Sequence, residues 1–329
     1  MNGPCRPALG ILCTVMVSGA LAAAPEPLVL ERTIALGSVS GRIDHLAVDL
    51  VHLRLFVAEL GNDSVAVVDL KQGRLLKTLT GFREPQGLGY VPATNELYVA
   101  NGGDGTVRFF GGDDLSFRGQ LVLGEDADNV RVAADPVRVF VGYGSGGLAV
   151  IDAASHGLIA QVGFKGHPEG FQILPGSNRV VVNVPDERGV TVVDAKLARS
   201  EAFWRLDDVR GNFPMAIGES SDEVWLATRN PARLIGMNAS TGTRMVALDA
   251  CNDADDVYVD AGRHRIYVSC GAGFIDVWER QAGKYQRIAH QVTSSGARTA
   301  LFDPVLDRLY LAVRTSPGKP AAIWVYRPQ

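Results

Sequence analysis

The chain lacks several features that would assign it to a functional class. It has no excess of basic residues, since 32 Lys and Arg stand against 36 Asp and Glu, a formal net charge of −4. Little positive charge is therefore available to neutralise phosphates, and nucleic-acid binding is disfavoured. Four cysteines are too few for a disulfide-built scaffold, although they allow one or two bridges. With 47% hydrophobic and only 21% charged residues, the chain is too apolar to be disordered.

Long hydrophobic runs are also missing, apart from one near the N-terminus. Arg6 precedes an apolar run from Ala8 to Ala22, and Ala20-Leu21-Ala22 fits the small-x-small pattern of a cleavage site. The run is shorter than the ~20 residues that a membrane-spanning helix needs. We therefore predict that residues 1–22 are a secretion signal peptide, an uncleaved membrane anchor being the alternative. The mature protein is expected to be periplasmic or secreted, with no membrane span.

Glycine, by contrast, is abundant, at 37 of 329 residues, which predicts many turns. A unit of 41 to 45 residues repeats seven times, and its first segments begin at positions 44, 85, 128, 169, 214, 255 and 298. Each unit has alternating apolar runs bounded by Gly, Asn, Asp or Pro, as expected for strands. Four antiparallel strands per unit predict an all-β, seven-bladed β-propeller in a single domain, residues 23–329. An open solenoid or two sandwiches are the alternatives.

The ends of the chain suggest how the ring closes. The last unit stops after its third strand, whereas a spare strand-like run, Leu28 to Leu36, precedes the first unit. We predict that this run supplies the missing outer strand of blade seven. Closure of that kind removes the exposed face that an open array would leave.

One segment carries a family resemblance. Residues 91–107 resemble the YVTN-type propeller repeat, with Tyr98-Val-Ala-Asn101 at the tetrad, and a weaker copy is Phe56-Val-Ala-Glu59. The chain is thus similar to YncE-like secreted proteins and, more remotely, to seven-bladed lactonases. The resemblance implies a propeller fold, but one fold hosts many functions.

A candidate binding site lies where the innermost strands begin. The loops that lead into these strands share one rim of the central channel with the loops that join the second and third strands. Carboxylates that converge there need a cation or a guanidinium among them, which predicts a divalent cation or a small polar ligand. The alternative is an ordinary polar rim around a water-filled channel. The predicted ligand-binding residues are Arg42, Asp44, Glu84, Asp128, Arg131, Glu169, Asn212, Asp255, Asp256 and Arg298.

Three of these carboxylates, Asp44, Glu169 and Asp255, are candidate ligands of a divalent cation. His45 and His167 are the candidates for acid–base or metal-binding roles, because imidazole both ligates metals and titrates near neutrality. A structural, hydrogen-bonded role is the alternative for each. No catalytic motif accompanies them, so the catalytic residues stay unassigned.

The opposite end of the channel shows Asp–Arg pairs in its hairpins, which indicate turn chemistry and no catalysis; they are Asp49/Arg54, Asp135/Arg138, Asp260/Arg265 and Asp303/Arg308.

The two cysteines outside the predicted signal are expected to form a disulfide. Cys251 precedes the inner strand of blade six and Cys270 ends the neighbouring strand, so both lie at the same rim. An exported protein is in a compartment where such a bridge persists. The bridge would hold the loop at residues 253–256.

Two functions follow from these observations. The first is a binding propeller that recognises a small ligand, a metal ion or a partner protein at the charged mouth of its channel. The alternative is a metal-dependent, lactonase-like hydrolase or lyase. In it a divalent cation would polarise a carbonyl group, and His45 or His167 would move the proton.

Overall fold

The structure, a computed structural model, describes residues 26–329 together with positions 1 and 3. The predicted signal peptide therefore lies almost wholly outside the described residues, and so does the very start of the predicted domain. The described residues form 28 strands and two short 3₁₀ helices, Leu60–Asn62 and Pro185–Glu187. Within this part of the chain, no helix has the length and apolar character needed to cross a membrane.

The strands form seven antiparallel sheets of four strands each, and six of these sheets follow the chain order from the inner strand outwards. Blade one comprises β2 (Leu46–Asp49), β3 (Arg54–Glu59), β4 (Ser64–Asp69) and β5 (Arg74–Thr80). Blade two comprises β6 (Pro85–Val91), β7 (Glu96–Asn101), β8 (Thr106–Gly111) and β9 (Phe117–Val122). Blade three comprises β10 (Val130–Ala134), β11 (Val137–Tyr143), β12 (Gly147–Asp152) and β13 (Leu158–Gly163). Blade four comprises β14 (Phe171–Ile173), β15 (Arg179–Val184), β16 (Gly189–Asp194) and β17 (Arg199–Arg205). Blade five comprises β18 (Arg210–Ile217), β19 (Glu223–Asn230), β20 (Ala232–Asn238) and β21 (Arg244–Asp249). Blade six comprises β22 (Ala254–Asp260), β23 (Arg265–Cys270), β24 (Phe274–Gln281) and β25 (Lys284–Val292).

The seventh sheet joins the two ends of the described chain. It contains β26 (Ala300–Asp303), β27 (Arg308–Val313) and β28 (Ala322–Pro328), and β1 (Leu28–Ala35) pairs antiparallel with β28 as its outer strand. The prediction of a closed seven-bladed propeller, with an N-terminal strand in the last blade, is confirmed.

The hydrophobic core lies between adjacent blades. The second and third strands of blade one are almost entirely buried, whereas the outer strand β5 is mostly exposed. Leu55 and Val57 of blade one pack against Tyr310 and Ile323 of blade seven, and a comparable cluster fills each of the other six blade interfaces. Because each sheet buries both faces against its neighbours, its middle strands are continuously apolar. The polar side chains of the inner loops are thereby left facing the channel.

Candidate functional site

The loops before the innermost strands are held by backbone hydrogen bonds to the ends of the second strands. The Asp44 N–H donates to the Ala58 carbonyl oxygen at 2.8 Å, and the Glu169 N–H donates to that of Asn183 at 2.9 Å. Each loop residue thus continues a strand pairing to the rim of the channel. The side chains from different blades are positioned by the sheets themselves.

Five side chains from three blades form what we call the acidic centre: Asp44, His45, Asp128, His167 and Glu169. One ligand atom each of Asp128, His167 and Glu169 lies within 4.8 Å of the other two. His45 Nε2 lies 3.8 Å from Asp44 Oδ1 and 3.9 Å from Asp128 Oδ1. The two His45 separations exceed hydrogen-bonding distance, as does the 3.8 Å between His167 Nε2 and Asp128 Oδ2, so these side chains lie close together without bonding directly to one another.

The orientation of His167 is set by a backbone contact. Its Nδ1 lies 2.6 Å from the Gly144 carbonyl oxygen, which can only accept, so Nδ1 carries the proton. In the neutral ring, Nε2 then has a free lone pair, and it lies 3.8 Å from Asp128 Oδ2. A backbone carbonyl that fixes the tautomer in this way is typical of metal-binding histidines.

A small cavity of about 20 Å³ adjoins the acidic centre, and His45, Asn129, Glu169 and Asp256 are among its lining residues. Asn129 is 3% exposed, and its Oδ1 accepts no hydrogen bond from the described residues; the same holds for the buried Asp128 Oδ1. Buried acceptors without partners are costly, because the lost hydration is not replaced. The cavity suits a single small species that offers positive charge or donors.

Burial governs the protonation of several carboxyl groups at the mouth of the channel. It raises the pKa of Glu169 to about 8, and the neighbouring Asp128 carboxylate adds to the effect. It also raises the pKa of Asp44 to about 6 and that of Asp256 to about 7. For His167, burial alone would lower the pKa, but Asp128, the Gly144 carbonyl and Glu169 outweigh it and raise the pKa to about 9. Near neutrality the centre therefore holds protons that a cation could replace.

Arginines neutralise the carboxylates on the other side of the mouth. Asp255 Oδ1 accepts a hydrogen bond from Arg229 Nη2 at 2.5 Å, and Asp255 Oδ2 lies 3.0 Å from Arg298 Nε in an ion pair. Arg42 Nη2 lies 2.9 Å from Asp44 Oδ2. Of the three predicted cation ligands, Glu169 thus belongs to the closest cluster, Asp44 is shared with Arg42, and both oxygens of Asp255 face guanidinium groups.

Arg131 lies between the acidic centre and the central channel. It lines both the small cavity and a channel cavity of about 430 Å³, which all seven inner strands surround. Its Nη1 donates to the Val130 carbonyl oxygen at 2.8 Å, and its guanidinium lies 5.7 Å from the centre of the Phe171 ring. Asp256 lines both cavities too, and its Oδ2 accepts the Ala300 N–H at 2.8 Å.

Two predicted site residues lie apart from the acidic centre. Glu84 is exposed, and its carboxylate makes no ion pair with any residue in the described ranges. Asn212 is buried, and its Nδ2 donates to Asn183 Oδ1 and to the Gly189 carbonyl oxygen, both at 2.9 Å. Asn212 thereby joins blades four and five.

The predicted disulfide is confirmed. Cys251 and Cys270 are bonded, with their Cα atoms 5.9 Å apart. The next residue, Gly271, donates its N–H to the Asp253 carbonyl oxygen at 2.8 Å. The bridge therefore braces the loop that carries Asp253 and the start of β22, where Asp255 lies.

The Asp–Arg pattern at the opposite end is turn chemistry, but it is less regular than its spacing suggests. Asp49 pairs with Arg54 and accepts the N–H groups of Val51 and His52. Two other arginines of the pattern pair with carboxylates outside it: Arg265 bonds to Glu279 and Arg308 bonds to Glu31. Asp260 pairs with Arg263, which is also outside the pattern.

Two residues of the mouth were not predicted. Arg229 lies near the end of β19, the second strand of blade five, and Arg314 directly follows β27, the second strand of blade seven. Both face the mouth. The signal for them was present, because the ends of the second strands and the loops after them share the rim with the loops that precede first strands.

A larger groove, of about 690 Å³, lies on the outside of the ring between blades three and four. It is open to solvent, and its lining includes Glu201 and Arg205 of the outer strand β17 and Phe164, which directly follows the outer strand β13. It has no convergent buried polar groups comparable to those of the mouth, within the described residues. Binding sites typically combine a concave surface with such groups, so the mouth is the better candidate.

Comparisons with known proteins show the fold alone. No family model matches the chain, and no curated protein matches it. A chain in the crystal structure of the mitotic checkpoint complex is similar, with a TM-score of 0.78 and 13% sequence identity over 98% of both chains. A chain of the Kuenenia stuttgartiensis hydrazine synthase has a TM-score of 0.75 and 14% identity, over 88% of this chain and 97% of that one. The YVTN-type resemblance stays a prediction, and the chain is similar to these structures as a seven-bladed β-propeller.

Proposed function

We propose that the protein is a binding propeller that holds a divalent transition-metal cation at the mouth of its channel. The observation that carries the proposal is the convergence of Asp128, His167 and Glu169 within 4.8 Å, beside buried oxygens that accept no hydrogen bond from the described part of the chain. His45 is positioned to complete the site from blade one. The cation would then form part of the surface that a ligand or partner protein contacts.

The donor set indicates the kind of cation. Imidazole nitrogen suits Zn²⁺, Fe²⁺, Ni²⁺ and Cu²⁺, whereas Ca²⁺ and Mg²⁺ prefer oxygen ligands alone. Two histidines with two carboxylates therefore favour Zn²⁺ or Fe²⁺ over Ca²⁺. The Gly144 carbonyl supports this assignment, because it leaves the lone pair of His167 Nε2 directed towards the carboxylates.

We also propose that the protein is exported and is related to the YncE-like proteins. The apolar run before residue 23 and the Tyr98-Val-Ala-Asn101 tetrad support this proposal. A disulfide between Cys251 and Cys270 is consistent with an oxidising compartment. We do not propose the lactonase-like alternative, because no contact among the described residues favours a hydrolytic step over binding.

The proposal is tested by titrating the metal-free full-length protein with Zn²⁺, with Ca²⁺ as the comparison. Zn²⁺ is expected to bind with a stoichiometry of one and to raise the unfolding temperature, and Ca²⁺ is not. Glu169→Gln and His167→Ala are expected to weaken Zn²⁺ binding by at least about tenfold. Glu84→Gln is the matched control, because Glu84 belongs to the same rim but lies apart from the acidic centre. Equal Zn²⁺ affinity in all three variants would contradict the proposed site.

A further inference from the structure

A second cavity lies at the mouth, beside the acidic centre, and its walls are rich in arginine. It has a volume of about 100 Å³, and its lining includes Arg42 from blade one and Arg298 and Arg314 from blade seven. Asp253, Gly271 and Gly296 also line it. We call it the arginine pocket. Three guanidinium groups from two blades converge on a space large enough for a small acid group.

The three arginines differ in how their charges are balanced. Arg42 is paired with Asp44, and Arg298 is paired with Asp253 and Asp255. Arg314 makes no ion pair with a described residue, and it is exposed towards solvent. The pocket therefore retains positive charge and free N–H donors. Arginine is well suited to hold a planar acid group, because its donors form a rigid fork.

Two glycines create the room for these charged groups. A Cβ atom at Gly271 would collide with the Asp253 carboxylate, and one at Gly296 would collide with the Arg314 guanidinium. Gly296 also has a φ of +80°, in the left-handed region that favours glycine. Its N–H donates to the Gly271 carbonyl oxygen at 2.7 Å, which joins the two loops. The backbone is thus shaped so that Arg314 lies flat against the pocket wall.

The arginine pocket is connected to the acidic centre through Asp44. One side of this carboxylate contacts Arg42, and the other lies 3.8 Å from His45 Nε2. The mouth therefore has a cationic half and an anionic half next to each other. One small ligand could contact both.

We propose that the arginine pocket binds the carboxylate group of a small organic acid. The inference deepens the proposed function, and it depends on that function only in taking the channel mouth as the ligand-binding end. A singly charged carboxylate fits better than a phosphate dianion, because the Asp253 carboxylate lines the pocket and repels a second negative charge. The planar shape of the carboxylate also matches a guanidinium fork.

The test is a titration of the metal-free full-length protein with sodium acetate, in which NMR monitors binding. Sodium chloride keeps the ionic strength constant throughout. Acetate is expected to bind specifically, and Arg314→Ala is expected to weaken this binding by at least about fivefold. Arg314 is exposed and forms no ion pair within residues 26–329, so its removal leaves no buried carboxylate in that range without a partner. Arg327→Ala is the matched control, because Arg327 is an exposed arginine on β28, outside the pocket. The Arg327→Ala variant should bind acetate with the affinity of the parent.

Three results would overturn the inference: no acetate binding beyond that of chloride, equal affinity for inorganic phosphate, or equal acetate affinity in Arg314→Ala and the parent. The same samples are titrated with Zn²⁺, which separates this inference from the proposed function. Glu169→Gln is expected to lose Zn²⁺ binding and to keep acetate binding. Acetate binding without Zn²⁺ binding in the parent contradicts the cation site alone. Zn²⁺ binding without acetate binding contradicts the arginine pocket alone.

Discussion

The two ends of the channel both contain carboxylates that the fold withdraws from solvent, fully for Asp49 and partly for Glu169, but these have opposite surroundings. At the hairpin end, Asp49 has a fully buried side chain and bonds to Arg54, His52 and two backbone N–H groups. Burial alone would raise the pKa of Asp49, but these contacts outweigh it and hold the pKa below its usual range. At the mouth, Glu169 is half-buried, its carboxylate accepts no hydrogen bond from the described residues, and burial raises its pKa to about 8.

The difference separates a structural carboxylate from a candidate ligand-binding one. A buried charge that stabilises the fold is paired and hydrogen-bonded within the chain. A buried carboxyl group that lacks such partners instead costs free energy, and proteins concentrate such groups at functional sites. The following predictions test whether the two ends differ in this way.

The largest effect is expected from Asp49→Ala at the hairpin end. The change leaves Arg54, whose side chain is only 8% exposed, without its carboxylate partner. Breaking a buried ion pair in this way should lower the free energy of unfolding by about 3–5 kcal/mol. Urea denaturation measures it. Glu169→Gln at the mouth should change the stability of the metal-free protein by less than about 1 kcal/mol or should raise it, and a loss as large as that of Asp49→Ala would refute the distinction.

The next effect concerns the covalent brace of the mouth. Replacing both Cys251 and Cys270 with alanine removes a cross-link that closes a loop of roughly 20 residues, which should cost about 3 kcal/mol. Denaturation of the double variant, compared with the oxidised parent, measures the loss. Adding a reductant should lower the stability of the parent and leave that of the double variant unchanged. A reductant effect of the same size on both proteins would show that the bridge is not its cause.

The third effect is a pH dependence at Asp256, whose pKa burial raises from 3.8 to about 7. Between these values only the unfolded chain loses the proton, so the free energy of unfolding should fall as the pH rises. Above about pH 7 both states are ionised, and the decline from this group stops. Asp256→Asn should therefore gain stability relative to the parent from about pH 4 to 7, by more than about 1 kcal/mol in total. Denaturation of both proteins in EDTA at several pH values measures this difference in the free energy of unfolding. A difference that stays constant with pH would exclude a raised pKa for Asp256.

The smallest effect is expected for a solvent-exposed pair. The side chains of Arg205 and Asp207 are 72% and 64% exposed, although their atoms lie 2.7 Å apart. Water screens such pairs, so Asp207→Ala should change the free energy of unfolding by less than about 1 kcal/mol. The same denaturation assay compares it with Asp49→Ala. A loss of several kcal/mol would mean that distance, and not burial, determines the strength of these ion pairs.

The fold was predictable because its signal is distributed over the whole chain. The seven-fold spacing determines the number of blades, and the apolar alternation marks the strands. The spare run before the first unit correctly indicates β1 as the outer strand of blade seven. The disulfide was predictable for a related reason, since antiparallel pairing places Cys251 and Cys270 at the same rim.

The site was predictable only in outline. The loop positions locate the rim, but they do not determine which side chains converge. Asp255 shows the limit, because its pairing with Arg229 depends on the end of a strand from another blade. Glu84 shows it too, since its side chain is exposed although it lies at the same rim. Distances between side chains of different blades arise from the closure of the ring and have no signature in local spacing.

The central claim, a metal site at the mouth, is tested most directly by anomalous X-ray diffraction at the zinc edge from crystals grown with Zn²⁺. The account predicts one strong peak about 2.0–2.2 Å from Nε2 of His167 and from carboxylate oxygens of Asp128 and Glu169. The same peak should be absent in crystals of Glu169→Gln. A zinc-bound parent crystal without a peak at these three residues, or with peaks only at surface histidines, would contradict the claim.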